Sequence, residues 1–482
     1  MQNDKQNNKQ ANKQDDVQKN VQNTMQDNVQ DNIQESITQM GNEGINKLLL
    51  RFSLPSTISM AGMAAYNIVD TIFVGRLGSE PLAALSLAFP LQLILGSLAI
   101  GAGVGAASLI SRSLGAGNQR DAEVTAGQVV TLSFIFWIVV ALLGYFFLEH
   151  IIALFGAEPK IADFAVEYLL VITSGSLTVF LMMGLNNVVR AMGSPLFSMK
   201  VLLTSALANI VLDPVFIYAA NLGVQGAAIA TVLSRFIGVL MIMYFFFYSG
   251  KAALQLKPAN FRLRWDFLQS IYRVGFPAML LPLSRNLSQI LANFILMPFG
   301  HIPVAVMGVF FRLQMLVFLP SVGVGQGLLP LIGYNFGAKQ IERTREVLLK
   351  GGTVITVYIT AITLVLFTFP EFMMSIFSPK EEVISLGGHA LRIMVLMFPL
   401  NGIYMASSFF FQGIGKGAPS LLLALLREVM LFVPFLLLLS FTIGLTGVWI
   451  ARPVSDFLAS ALAFLLITKE LSRQWHGMAG SP

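Results

Sequence analysis

Cysteine is absent from all 482 positions, which excludes disulfides, thiolate metal ligands and thiol nucleophiles together. Charge is scarce as well. Only 12% of residues are Asp, Glu, Lys or Arg, about half the roughly 25% share of a soluble domain, so most of the chain has no side suited to water. Histidine occurs only as His150, His301, His389 and His476, dispersed among connections and segment ends, which argues against an imidazole-rich metal site. With no metal cluster and no nucleophile paired to a histidine, the chain is expected not to be an enzyme. The formal net charge is +6, yet the basic residues are scattered through short connections, so nucleic acid is not an expected partner.

Apolar residues make up 55% of the chain and fall in long runs. A bilayer core about 30 Å thick needs roughly 20 such residues per crossing helix, and only helices or closed barrels satisfy their own backbone hydrogen bonds in lipid. The runs lack strict alternation, so they predict helices. Twelve spans are expected, near residues 50–74, 83–111, 124–148, 162–188, 197–219 and 224–248, then 267–298, 303–332, 344–369, 384–410, 418–440 and 445–468. The fold class is therefore an all-α polytopic membrane protein. Basic residues alternate between its connections. Arg112 with Arg120, Arg190 with Lys200, Lys251 through Arg264, Lys339 through Lys350, Lys416, and Lys469 with Arg473 share one side, against Arg76, Lys160 and Lys380 on the other. The positive-inside rule places the first group and both termini in the cytoplasm, in a multi-pass protein of the cytoplasmic (inner) membrane.

Residues 1–45 differ from the rest, being rich in Gln, Asn, Asp and Lys. Their apolar residues Val17, Val21, Met25, Val29, Ile33 and Ile37 recur every fourth position. A four-residue step drifts by about 40° on a helix, so the stripe does not stay on one face. A disordered cytoplasmic tail is expected, with a docked amphipathic helix as the alternative. The remaining organisation reads as a first lobe at 46–248, a cytoplasmic linker at 249–266, a second lobe at 267–468 and a cytoplasmic tail at 469–482.

The two lobes repeat one another at a shift of 222 residues. Pro55 pairs with Pro277, Leu91-Gln92 with Leu313-Gln314, and Gly115-Ala116 with Gly337-Ala338. Gly101, Gly103 and Gly105 align with Gly323, Gly325 and Gly327, and Gly193 with Gly415. One residue out of that register, Gly223 and Gly226 pair with Gly444 and Gly447. The glycines allow close helix approach. An even number of spans per repeat relates the halves by an axis along the membrane normal, the arrangement in which two lobes rock about a central cleft.

Ionisable groups inside spans cost several kcal/mol unless paired or hydrated. Asp70 lies in span 1 within Asn67-Ile-Val-Asp70-Thr71, and Asp213 in span 5 within Asn209-Ile-Val-Leu-Asp213-Pro214. Asn209 and Asp213 share a helix face, as do Asn67 and Asp70. Pro214 frees the carbonyl of Ile210. These hard oxygens suit a proton or Na⁺. The alternative is a hydrated Asp70 at the outer interface and an Asp213 that caps a helix break. Shifted by 222, Asp70 falls on Ala292, so the acid is not a feature of both repeats. The second half carries Arg285, Arg312, Arg392, Arg427 with Glu428, and Arg452 with Asp456. Structural pairing is expected for these, Arg285 being the one expected to face the cleft. The 22 methionines and 38 phenylalanines suit an adaptable pocket and lipid contact alike. Pro55 is a candidate bend point.

These residues carry a resemblance. The stretch Asn67 to Gly75, the turn Gly115-Ala116-Gly117, Arg190-Ala-Met-Gly193-Ser-Pro195 and Asn209 to Pro214 resemble multidrug and toxic compound extrusion (MATE) transporters of the DinF-like and MepA-like kind, over nearly everything after residue 46. The resemblance implies a V-shaped pair of six-helix lobes exchanging organic cations or amphipathic drugs for H⁺ or Na⁺ by alternating access, with no cofactor beyond that coupling ion. It implies a cation-coupling set of Asp70, Asn209 and Asp213, joined by Thr231 and with Tyr168 close by. If the ion is Na⁺, Asp70, Asn209, Asp213 and Thr231 are its expected ligands. Candidate substrate-cleft residues are Asn67, Arg285, Met279, Gln314 and Asn401. Members with acids in spans 7 and 10 differ from this chain, which has Arg285 and Asn401 there. A lipid-linked saccharide flippase of the same superfamily is the alternative function, with Arg285 and Arg312 for a pyrophosphate. The expected partners are small molecules and the bilayer, and the expected unit is a monomer.

Overall fold

A computed structural model describes residues 38–479, with side chains to residue 473. Among the described residues the secondary structure is helical, and the twelve expected spans are present. Span 1 is Ile45–Gly75, span 2 Ser79–Gly115, span 3 Gln119–Leu154, span 5 Pro195–Ala219 and span 6 Gly223–Phe247. Span 8 is His301–Gly337, span 9 Ile341–Thr368, span 10 Glu381–Gly413, span 11 Gly417–Ile443 and span 12 Leu445–Arg473, its helix continuing to Ala479. Span 4 is a helix pair, Pro159–Ser174 and Ser176–Ala191, bent by 51°. Span 7, Trp265–Leu296, is long enough to cross but more polar, carrying Arg273, Ser284, Arg285, Asn286 and Ser288.

The spans run longer than the sequence suggests because helices continue past the bilayer's apolar width into the connections. Span 4 breaks at Gly175, where a side chain would stand 2.5 Å from Val232 of span 6. Glycine lets the two helices meet there, and it is a common cause of a kink. Span 10 breaks at the corresponding place, in a 3₁₀ turn at Phe398–Leu400 that holds Pro399. Span 5 widens after Asp213-Pro214 into a π turn, Val215–Ala219. Pro214 therefore loosens the helix rather than ending it. Span 1 continues through Pro55 as one helix. A short helix, Pro370–Ser375, between spans 9 and 10 was not expected.

The two six-helix lobes are pseudo-symmetric, and their closest contacts repeat that symmetry. Span 2 lies on span 7, and span 8 lies on span 1. A Cβ on Gly105 would stand 2.1 Å from the Ile271 carbonyl oxygen, and one on Gly327 would stand 2.8 Å from Phe52 and Ser53 backbone atoms. The first and third glycines of each triplet are thus where backbone meets backbone between lobes, while Gly103 and Gly325 make room for Asn187 and Phe409 of their own lobes. At the end bearing the basic connections, Ser108 Oγ donates to the Gln412 carbonyl and Arg190 donates to Gln326. Arg190 is 5% exposed and holds the lobes together, whereas the sequence places it in a solvated connection.

Two connections are more ordered than expected. Residues 1–37 of the expected tail lie outside the described residues. From residue 38 the chain is docked: Met40 is fully buried, and its carbonyl accepts from Asn335 Nδ2 at 3.1 Å. The Glu43 carbonyl accepts from Arg343 Nη2 at 2.7 Å. The tail expected to 45 therefore gives way earlier to structure, because span 8 and span 9 side chains supply partners for its backbone. The 249–266 connection is strapped to span 3. Gln128 Nε2 donates to the carbonyls of Asn260 and Arg262, at 3.1 and 2.9 Å, and Thr131 donates to that of Phe261 at 2.7 Å.

Replacing Gly105 by Val forces spans 2 and 7 apart. We expect it to destabilise the purified protein by about 1–3 kcal/mol. Gly96→Val, where no atom lies within 4 Å of the new Cβ, is expected to change little. Thermal unfolding in detergent compares the two.

Candidate functional site

The first lobe holds a small, partly open cavity of about 40 Å³. Span 1 supplies Met63 and Tyr66; span 4 supplies Val179, Met182 and Met183. Span 5 contributes Leu202, Ser205, Ala206 and Asn209, and span 6 Thr231, Ser234 and Arg235. These residues follow helical spacing: Met63 and Tyr66 are three apart, Ser205 and Asn209 four, Thr231 and Arg235 four, so each helix turns one face to the space.

Asn209 is the wall between this cavity and the acid behind it. Its Nδ2 donates to Asp213 Oδ1 at 3.1 Å and, at 3.5 Å, to Thr231 Oγ1. Asp213 is fully buried, and Asn209 is 1% exposed. Asp213 Oδ2, Asn209 Oδ1 and Asp70 Oδ1 are buried oxygens with no hydrogen-bond partner among the described residues. Asp70 follows Tyr66 by one helical turn and lies within electrostatic reach of Asp213. Tyr168 is 2% exposed, accepts from Gln92 Nε2 at 3.0 Å and also feels the charge of Asp70. Asp70, Asn209, Asp213, Thr231 and Tyr168 are thus brought into one neighbourhood. Three acceptor oxygens lacking donors suit a proton or a small cation, since a buried acceptor without a partner costs about 1–3 kcal/mol. Among the described residues no group of three or more His, Cys, Asp and Glu could hold a metal ion, so a multidentate carboxylate cage is absent there.

The residues expected at the central cleft between the lobes lie outside this first-lobe cavity. Asn67 is exposed, and its amide folds back on the Met63 carbonyl at 2.8 Å. Tyr66 points inward, so its neighbour sits about 100° further round the helix. Met279 packs near Gly101 at the contact of spans 2 and 7. Gln314 is 4% exposed, with Nε2 unpartnered among the described residues. Asn401 is fully buried and donates to Asp456 Oδ2 at 3.0 Å. Arg285, half-buried in span 7, makes no hydrogen bond or ion pair among the described residues. Of these, Asn67 and Asn401 make side-chain hydrogen bonds, which offset part of the cost of placing a polar group away from water.

That cluster is a closed ring. Arg427 Nε meets Asp456 Oδ1 at 2.8 Å and Arg427 Nη1 meets Glu428 Oε1 at 3.2 Å. Arg452 Nη1 meets Glu428 Oε2 at 2.9 Å, and Arg452 Nε meets Asp456 Oδ1 at 3.3 Å. All four are at most 2% exposed. Pairing was expected from the sequence, but within neighbours; the structure also crosses the pairs between spans 11 and 12. Arg392 pairs with Glu371 at 3.2 Å, and Arg312 is exposed.

The repeat relates ring and cavity. Shifting the cavity-lining residues of spans 1, 4 and 5 by 222 gives Arg285 for Met63, Ser288 for Tyr66, Asn401 for Val179, Tyr404 for Met182, Arg427 for Ser205 and Glu428 for Ala206. In span 6 the shift is 221 and gives Arg452 for Thr231 and Asp456 for Arg235. The cavity of the first lobe and the ionic ring of the second are therefore the same place in the duplicated unit, left open in one copy and filled in the other.

Tyr66, Gln92 and Arg235 were not singled out by sequence. Arg235 carried a legible signal: a charged residue one helical turn after Thr231, inside an apolar 25-residue span.

Twelve spans in two related lobes, closed on each other at one end and holding a polar cavity within the membrane, define a membrane transporter rather than an enzyme. A family model described as MatE matches residues 55–215 and 277–438, so the chain belongs to the MatE family. The second match begins 222 residues after the first, the shift seen in the sequence. The chain is similar to the multidrug export protein MepA of Staphylococcus aureus strain MSSA476, with 29% identity over 426 residues, 87% of this chain and 93% of that protein. It is similar in structure to a MATE protein crystallised in a bent conformation, with a TM-score of 0.87 and 28% identity over 92% of this chain and 99% of that one. An outward-facing multidrug resistance MATE family transporter of the MOP superfamily matches with a TM-score of 0.85 and 29% identity, covering 91% and 98% of the two chains.

Removing one acid from the closed ring leaves two buried arginines short of a partner. Asp456→Asn is expected to destabilise the protein by about 3–5 kcal/mol. Asp70→Asn, where no ion pair is broken, is expected to change stability by about 1 kcal/mol or less, and melting of the purified variants tests the contrast.

Proposed function

We propose that the protein is a secondary active exporter of organic cations or amphipathic drugs, exchanging them for H⁺ or Na⁺ by alternating access. The observation that carries this reading is the wall formed by Asn209 and Thr231, which has the cavity on one side and the Asp213 carboxylate on the other. A ligand in the cavity and a cation on the acids then press on the same two side chains. Coupling requires only that each ligand prefer a different arrangement of that wall.

In this reading Asp70 and Asp213 take up a proton or Na⁺ from outside. Unpartnered Asp70 Oδ1, Asn209 Oδ1 and Asp213 Oδ2 supply the acceptors, and Thr231 Oγ1 completes the set for Na⁺. Occupancy relieves their unmet hydrogen-bonding and repacks spans 1, 5 and 6, with the π turn after Pro214 and Pro55 as the points that yield. The substrate leaves outward, and substrate entering from the cytoplasm or inner leaflet favours release of the cation inward.

The basic connections and both termini are assigned to the cytoplasm of a cell with a single such protein as the working unit. On that assignment, the Arg190–Gln326 and Ser108–Gln412 contacts close the cytoplasmic end. The multidrug export named for the staphylococcal relative supports the substrate class. The alternative is a lipid-linked saccharide flippase; its candidate arginines, Arg285 and Arg312, lie outside the first-lobe cavity.

Dye efflux from vesicles tests the proposal under an imposed pH gradient and an imposed sodium gradient. Asp70→Asn and Asp213→Asn are each expected to cut gradient-driven efflux at least about tenfold, consistent with loss of a charge-assisted interaction, with folded protein retained. Full activity in both variants refutes the site.

A further inference from the structure

The connection at 249–266 does not hang free of the bundle. Gln128 and Thr131 of span 3 hold the carbonyls of Asn260, Phe261 and Arg262, and Gln128 Oε1 accepts from the Arg264 backbone amide at 3.0 Å. At Gly127 span 3 has no side chain, and the Asn260 carbonyl occupies that space. Span 3 begins at Gln119, so Gln128 and Thr131 lie about 14–18 Å along it at 1.5 Å per residue. They fall inside the apolar run that begins near residue 124. The strap therefore runs at the level where the membrane's apolar interior gives way to its headgroups.

With its backbone held, the strap leaves four consecutive side chains exposed. Arg262 and Arg264 are exposed, as are Leu263 and Trp265, the indole being 76% exposed. Neither arginine forms an ion pair or a side-chain hydrogen bond among the described residues, and Arg264 lies over the Phe267 ring at 4.7 Å. The connection also carries Lys251 and Lys257 against a single acid, Asp266. Glu123 of span 3 approaches it at the Gln255 amide, ahead of the arginines. The duplicated unit shows that the architecture does not require this. Shifted by 222, Arg262 through Trp265 fall on Met40 through Glu43. The Met40 carbonyl is likewise tied to the opposite lobe, but the Met40 side chain is fully buried and Glu43 pairs with Lys47 and Arg51. One copy closes its strap on the protein, and the other presents two cations and an indole to the surroundings.

We propose that residues 262–265 form a binding site for an anionic phospholipid of the adjacent leaflet. The guanidinium groups of Arg262 and Arg264 offer planar donor forks that match phosphate oxygens in pairs. The Trp265 indole and Leu263 lie beside the glycerol and the upper acyl chain, the depth at which amphipathic aromatic rings collect. A zwitterionic headgroup brings its own ammonium to this basic patch and gains little, whereas a net negative one is attracted by each basic residue at the membrane surface. The strap joins span 6 of one lobe to span 7 of the other, so a lipid held there rests on the link between lobes. The site is independent of the export reading.

Tryptophan quenching by lipids brominated in their acyl chains tests this on the purified full-length protein. The vesicles hold equal parts of phosphatidylcholine and phosphatidylglycerol, with only one of the two brominated at a time. The Trp265 signal is the difference between each protein and its Trp265→Phe counterpart. One basic residue at such a surface strengthens association with anionic lipid about fivefold, so wild type is expected to favour phosphatidylglycerol over phosphatidylcholine at least about fivefold. Arg262→Gln combined with Arg264→Gln should bring that ratio toward one. Both arginines are exposed, so the fold does not depend on them. Equal quenching by the two lipids in wild type overturns the proposal, as does a preference that survives the paired Gln variant. A Trp265 signal that neither brominated lipid quenches places the strap in water and overturns it as well.

Discussion

A charge or unpaired polar atom held away from water must be met either by another part of the protein or by something that arrives and departs. In this chain the same duplicated scaffold shows both solutions. The second lobe closes Arg427, Glu428, Arg452 and Asp456 into a ring in which each charge has two opposite partners. The first lobe, at the equivalent place, leaves a cavity, a lone guanidinium and three acceptor oxygens without donors. A ring of this kind is weak evidence for added stability, since desolvation offsets much of the attraction. Its consequence here is that the site is filled from within and has no use for a visitor.

The asymmetry between lobes gives the architecture its division of labour. Glycines in both repeats let spans 2 and 7, and spans 8 and 1, meet backbone to backbone, so the two lobes share one type of contact. Packed surfaces of this sort have discrete arrangements rather than continuous ones. The first lobe's spans 1, 5 and 6 surround the unmet oxygens, and span 5 carries a π turn directly after Asp213-Pro214. On the proposed reading, ligand occupancy there would act on helices that also form the contact between lobes, since span 1 lies against span 8.

Much of this was legible before any coordinates. Apolar runs and alternating basic connections give the twelve spans, and the 222-residue shift gives the two lobes. Asp70, Asn209 and Asp213 stand out because carboxylates and amides are conspicuous in lipid. The lining of the first-lobe cavity was not legible in the same way, because a repeat and a hydropathy pattern say which segments cross but not how each is rotated. Asn67 and Tyr66 differ by one position and face different surroundings. Asn401 reads as a cleft amide until Asp456, 55 residues later, is seen to accept from it. Arg235 is as conspicuous in the sequence as the acids, a charge four residues after Thr231 in an apolar span. The correspondence between cavity and ring required both the shift, which is in the sequence, and the lining of the cavity, which is not.

The central claim is that cation and substrate occupy opposite sides of one wall and displace each other. Calorimetric titration of a transported dye into the purified protein measures this directly, repeated in buffers of different ionisation enthalpy and at several sodium concentrations. Displacement predicts either a proton released per dye bound or an apparent affinity that falls as sodium rises, with the effect gone in Asp70→Asn. Dye binding that releases no proton and ignores sodium would contradict it.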